Sequence, residues 1–168
     1  MRSRQMIRFL APSLLIVAAC SGDSGSSPTA PSIMPAATVV SSAKVVVDGR
    51  DVSGMNVPQG HHGAVTHFEA RVEHDGSLEP GFEMWMRYEQ PGAHGMMGSQ
   101  GRARLFDDGT HGDPVAGDGI YCLDDDIGQI GCQRSDAPMG DYHYDFYGAG
   151  PHGDVTNHCL VTVTVVGG

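Results

Sequence analysis

The stretch Thr66-His67-Phe68-Glu69-Ala70-Arg71-Val72-Glu73 decides the fold class. Thr66, Phe68, Ala70 and Val72 fall on one side of an extended chain, and His67, Glu69, Arg71 and Glu73 fall on the other. A period of two with one apolar side marks a half-buried β-strand. Asp75-Gly76 closes it with a turn signal. Working outward, Phe82, Met84, Met86 and Tyr88 alternate with Glu83, Trp85 and Arg87, which sets Trp85 on the opposite face. Ala103 and Leu105 alternate with Arg102 and Arg104. Tyr142, Tyr144 and Phe146 alternate with His143 and Asp145, and Cys159, Val161, Val163 and Val165 with Leu160, Thr162 and Thr164. Short apolar runs at Val45-Val46-Val47 and at residues 120–123 complete about seven strands. No segment sustains a 3.6-residue period. The expectation is all-β: a single antiparallel sandwich of immunoglobulin-like type.

Composition agrees. Gly accounts for 24 of 168 residues, well above the average of about 7%, so turns are frequent and a helical bundle is excluded. Twenty acidic side chains against ten basic ones give a formal charge of −10. Such a balance argues against nucleic acid as a partner, because phosphate binding needs a Lys/Arg surface.

The N-terminus reads as an address. Arg2, Arg4 and Arg8 precede an uncharged eleven-residue stretch from Phe9 to Ala19. That length suits the apolar region of a signal peptide and is too short to span a bilayer core. The stretch ends in Val17-Ala18-Ala19-Cys20, which resembles the lipobox of bacterial lipoproteins. The resemblance implies a signal peptide over residues 1–19, cleavage before Cys20 and lipidation of Cys20. Ser21, in place of Asp, resembles the pattern sorted to the outer membrane of two-membrane bacteria. Several acyl chains on one residue anchor stably, since each buried CH₂ contributes about 0.8 kcal/mol. Loss of Arg2, Arg4 and Arg8 leaves seven basic residues against 20 acidic ones, a formal charge of −13. Residues 20–42, rich in Ser, Gly, Pro, Ala and Thr, cannot bury enough apolar surface to order themselves and read as a flexible tether. The sandwich is expected over residues 43–168.

The most specific internal segment runs from Leu105 to Tyr121 and contains Asp107-Asp108-Gly109-Thr110-His111-Gly112-Asp113 and Ala116-Gly117-Asp118-Gly119. It resembles a D-D-G-x-x-G-D-x-x-A-G-D-G-x-Y segment of Ig-like modules in bacterial secreted and surface proteins, including the "choice-of-anchor X" type. Gly140-Asp141-Tyr142 onward is similar to the last two strands of such modules. The resemblance implies a fold and little chemistry. The residues themselves say more. Seven carboxylates stand between Asp107 and Asp126 without a Lys or Arg. Crowding of like charge is relieved by water or by a cation, and Ca²⁺ takes six to eight oxygens in flexible geometry. Asp107, Asp108, Asp113 and Asp118 are the candidate calcium ligands. The competing reading makes them turn-forming, solvated aspartates.

Cys122, Cys132 and Cys159 remain after lipidation, an odd number in an oxidising compartment. Three pairings are open to sequence reasoning. Cys122–Cys132 would close a short loop over residues 124–126, with Cys159 then a buried apolar residue in phase with Val161 and Val163. Nine His and nine Met raise a second metal reading: His94, Met96 and Met97 offer the soft ligands that suit Cu(I), as in a periplasmic metal-binding lipoprotein. Met84 and Met86, in strand phase, read as core. No G-x-S-x-G, H-E-x-x-H or G-x-x-x-x-G-K-[ST] occurs, so the chain reads as a non-enzyme. The whole describes a lipid-anchored envelope protein of the outer membrane. Its Ig-like module binds or scaffolds a protein or polysaccharide of the envelope.

Overall fold

The computed structural model describes residues 38–59, 65–92, 98–132, 136–151 and 153–167. Among them are ten strands and no helix. They run β1 (Thr38–Val47), β2 (Arg50–Asp51), β3 (Asn56–Pro58), β4 (Thr66–His74), β5 (Ser77–Leu78), β6 (Glu83–Glu89), β7 (Gln100–Leu105), β8 (Ile120–Asp125), β9 (Gly140–Ala149) and β10 (Cys159–Val166). One sheet has the order β2-β1-β4-β5, with β8 also on β4. The other has the order β3-β10-β9-β6-β7. All pairings are antiparallel except β3 with β10. The first long strand thus lies in one sheet, and the chain then crosses to run parallel to the last strand of the other. Two facing sheets with this crossing form an immunoglobulin-like sandwich.

The alternation read in the sequence is the reason the sheets stick. Phe68, Ala70 and Val72 of β4, Met84 and Met86 of β6, and Tyr142, Tyr144 and Phe146 of β9 are buried between the sheets with Val161, Val163 and Val165 of β10. Phe68 and Tyr144 meet across the core, ring centroids 5.0 Å apart and tilted by 55°, the edge-inclined geometry that aromatic quadrupoles favour. The buried tyrosines each find a polar partner. Tyr121 accepts the Phe82 amide at 2.8 Å, and Tyr144 donates to the Ile130 carbonyl at 3.2 Å. Tyr142, near the start of β9, donates to the carbonyl of Pro138 at 3.0 Å. A tyrosine bonded to backbone a few residues upstream, at the corner entering this strand, is a hallmark of Ig-type sandwiches.

One boundary differs from the sequence reading, and three strands were absent from it. β1 begins at Thr38, inside the stretch assigned to the tether. A register shift between Val40 and Ser42 interrupts its alternation, so the pattern before it escapes a period-two search. The strands β2, β3 and β5, of two or three residues, are too short to show a period at all.

Candidate metal centre

The acidic hairpin joins β7 of one sheet to β8 of the other. At its base Phe106 and Cys122 exchange both backbone hydrogen bonds at 2.8 Å. Above this bridge the aspartates organise the backbone. Asp107 accepts three amides: Oδ1 from Gly117 at 2.6 Å and Asp118 at 3.0 Å, Oδ2 from Gly119 at 3.1 Å. Asp113, only 5% exposed, accepts Gly109 at 2.7 Å and Val115 at 3.0 Å. Asp118 accepts Ile120 at 2.9 Å. These bonds require tight, left-handed turns, and glycine supplies them. At Gly119, φ is +79° and an added Cβ would stand 2.7 Å from the Glu79 amide nitrogen. At Gly112, φ is +90° and a Cβ would meet the Asp124 carboxylate.

The consequence is convergence. Asp107, Asp113 and Asp118 each present a carboxylate oxygen, and the three lie within 4.8 Å of one another. Asp108, the fourth expected ligand, does not join them. It is exposed, and it accepts the Thr110 amide at 3.0 Å and the Thr110 hydroxyl. The hydroxyl bond is the main cause that lowers its pKa below the usual carboxylate value. The three convergent carboxylates are chemically suited to a hard, oxygen-seeking cation such as Ca²⁺. Their amide bonds also show them acting as turn formers.

Asp124 and Asp125 are employed elsewhere. Asp124 pairs with His67 Nδ1 at 2.7 Å, and its amide donates to the His111 carbonyl at 2.9 Å. Asp125, 5% exposed, accepts the amides of Gln129, Ile130 and Gly131 at 2.7–3.0 Å and so folds the loop after β8. That role leaves no signature in the sequence beyond an acid before a Gly-containing loop.

The expected Cys122–Cys132 disulfide is not formed; Cys122, Cys132 and Cys159 are free thiols. Parity explains it. Cys122 sits opposite Glu69 on the outer side of its sheet, buried under the hairpin, whereas Cys132 belongs to the core between the sheets. Burial raises the Cys122 thiol to about 12 and the Cys132 thiol to about 11. Cys159, expected to be buried, is partly exposed and packs against the core. Met84 and Met86 are core residues, as read. Cys20, His94, Met96 and Met97 lie outside the described residues. A scan against protein-family models finds no match to the chain, and a search of curated proteins finds none either.

Proposed function

We propose that the chain is a lipid-anchored protein of the cell envelope whose β-sandwich is a non-catalytic binding and scaffolding module, with Ca²⁺ bracing the hairpin of residues 107–118. Convergence of the Asp107, Asp113 and Asp118 carboxylates within 4.8 Å carries the calcium part. Three like charges so close repel unless screened or bridged, and a divalent ion bridges them. The anchor rests on the charged start, the short apolar stretch and Val17-Ala18-Ala19-Cys20. Ser21 favours the outer membrane. The partner is a protein or polysaccharide of the envelope, reached through the tether.

Two experiments test this. A ligand that binds only the native state raises its melting temperature by mass action, so Ca²⁺ raises the transition and EDTA lowers it. A melting point that neither moves rules out the calcium site. Cells fed a radiolabelled fatty acid label the wild-type chain and not Cys20→Ala. Equal labelling of the two removes the anchor.

A further inference from the structure

The molecule closes most of its own strand edges. Along β1, the Val40 amide donates to the Asn157 side chain at 2.7 Å, the Val45 amide donates to Ser53 Oγ at 2.9 Å, and the Val45 carbonyl accepts the Val52 amide at 2.8 Å. The hairpin closes β8: Ile120 donates to Asp118, Cys122 exchanges both bonds with Phe106, and Asp124 donates to the His111 carbonyl. On β10, the Thr162 carbonyl accepts Gly54, the Thr164 amide donates to Met55, and β3 covers the end of the strand. β3 in turn stops at Pro58, which has no N–H to offer. β2 and β5 have two residues each.

β7 is the exception. Its six residues end their sheet. Gln90 donates to the Ser99 carbonyl at 2.8 Å, so these two form a hydrogen-bonded pair at the end of the β6–β7 ladder. Such pairs recur at every second position, here at Gly101, Ala103 and Leu105. The N–H and C=O of Gln100, Arg102 and Arg104 therefore point off the sheet. Phe106, next in the same phase, commits both groups to Cys122 of β8 at 2.8 Å, so this edge is a working template for a strand. Among the described residues nothing takes the groups of the three positions before it. Exposed edges are commonly guarded by bulges, proline or charge. β7 has no register shift against β6 and no proline. Its two charged heads are drawn aside: Arg102 lies over the Trp85 ring on β6, 4.8 Å from the centroid, and Arg104 lies 5.4 Å from that of Phe106.

We infer that β7 binds an extended polypeptide segment of a partner protein, which joins the sheet as a further strand beside Gln100–Leu105. The inference rests on the binding-module reading and names the kind of partner and its seat. An unpaired edge presents donors and acceptors at a spacing that another extended backbone matches. Gln100, Arg102 and Arg104 each supply one of both. A polysaccharide has no backbone that matches this ladder. The core-side positions of β7 are small, Gly101 and Ala103, and Ala103 packs against the core. An incoming strand turns every second side chain inward beside them, so apolar residues at alternate positions suit the seat. A second copy of the chain fits less well. Full antiparallel overlap of two β7 strands sets arginine against arginine at position 102, and like charges directly opposite are destabilising.

Amide exchange, read residue by residue by NMR on the full lipidated chain in detergent, tests the free edge. Gln100, Arg102 and Arg104 are expected to exchange at near-unprotected rates, and Gly101, Ala103 and Leu105 slowly. Slow exchange at all six in the monomer overturns the inference, and protection that appears only as the chain dimerises overturns it in favour of a second copy. The probe for the partner is a phage-displayed library of random dodecapeptides selected on the wild-type chain. Selected peptides, made free, are expected to protect the amides of Gln100, Arg102 and Arg104. They are expected to bind Arg102→Pro at least about tenfold more weakly and Arg102→Gln within about threefold of wild type. Proline at position 102 deletes an outward N–H and no bond to β6, whereas glutamine keeps the N–H and drops the charge. Circular dichroism checks folding. If Arg102→Pro melts, Gln100→Pro, at the first residue of the strand, carries the same test. Absence of any selected binder, equal affinity for the proline variant, or protection confined to other strands overturns the inference. An envelope extract separates this failure from that of the binding module. A component retained equally by wild type and Arg102→Pro overturns the edge and leaves the module standing. A chain that selects no peptide and retains nothing overturns both.

Discussion

Replacing Asp107 by Ala separates the aspartate's service to the backbone from any service to a cation. The side chain accepts three amide bonds, from Gly117, Asp118 and Gly119. Hydrogen bonds to a charged acceptor contribute about 1.5–3 kcal/mol each when shielded. The bond to Gly117 is exposed, and the other two are partly buried, so the low end applies to two bonds. The variant is therefore expected to lose about 2–4 kcal/mol even in EDTA. At about 4 °C per kcal/mol for a domain of this size, its melting point falls by about 8–16 °C. Asp118→Ala loses one such bond, to Ile120, and falls by only about 6 °C in EDTA on the same scale. The two variants differ without metal, yet both lose the increment that Ca²⁺ adds to the wild type. Differential scanning calorimetry with EDTA and with excess Ca²⁺ reads all four numbers. Asp107→Ala melting within 2–3 °C of wild type in EDTA refutes the view that this carboxylate organises the hairpin, since even one shielded bond is worth more than that.

Tyr142→Phe removes the bond to the Pro138 carbonyl at the entry to β9; urea unfolding is expected to show a loss of about 1–2 kcal/mol with an unchanged m-value. Gly119→Ala meets both a left-handed φ of +79° and the Glu79 backbone; it is expected to cost more than the 1 kcal/mol or so of the conformation alone and to show as a lower urea midpoint. The buried thiols predict alkaline sensitivity. Cys122 and Cys132 hold their protons in the fold to about 12 and about 11, against 9.0 for an unperturbed thiol. The native state thus binds more protons than the unfolded state above pH 9. Stability is full below pH 9 and falls by up to about 2.7 kcal/mol per pH unit between 9 and 11. Urea midpoints at pH 8, 9, 10 and 11 check it, and the Cys122→Ala, Cys132→Ala double variant flattens the slope.

The five strands with clear alternation were legible because each has one face in the core, and a period of two records that directly; β1 and β8 showed only as short apolar runs. The three short strands were not, since pairing of two or three residues is decided by partners distant in sequence. The acidic cluster was legible as composition, but its geometry was not. Asp108 looks equivalent to Asp107, and only the turn at Thr110 turns its carboxylate away. The cysteines make the same point. Cys122 has a face fixed by strand parity, whereas Cys132 lies in a loop, where parity says nothing. The outer face of the second sheet was half visible: alternation set Trp85, Arg102 and Arg104 opposite the apolar residues, but only the register of β6 and β7 makes them neighbours.

The long pairing of β1 with β4, from Thr38↔His74 to Val47↔Thr66, has a mechanical meaning. Antiparallel hydrogen bonds run perpendicular to their strands. Any pull that reaches the domain through the chain before Thr38 and along β1 strains these rungs sideways and all together, instead of opening them one after another. A sandwich pulled by its N-terminal chain would then resist drag as a riveted seam does, in shear.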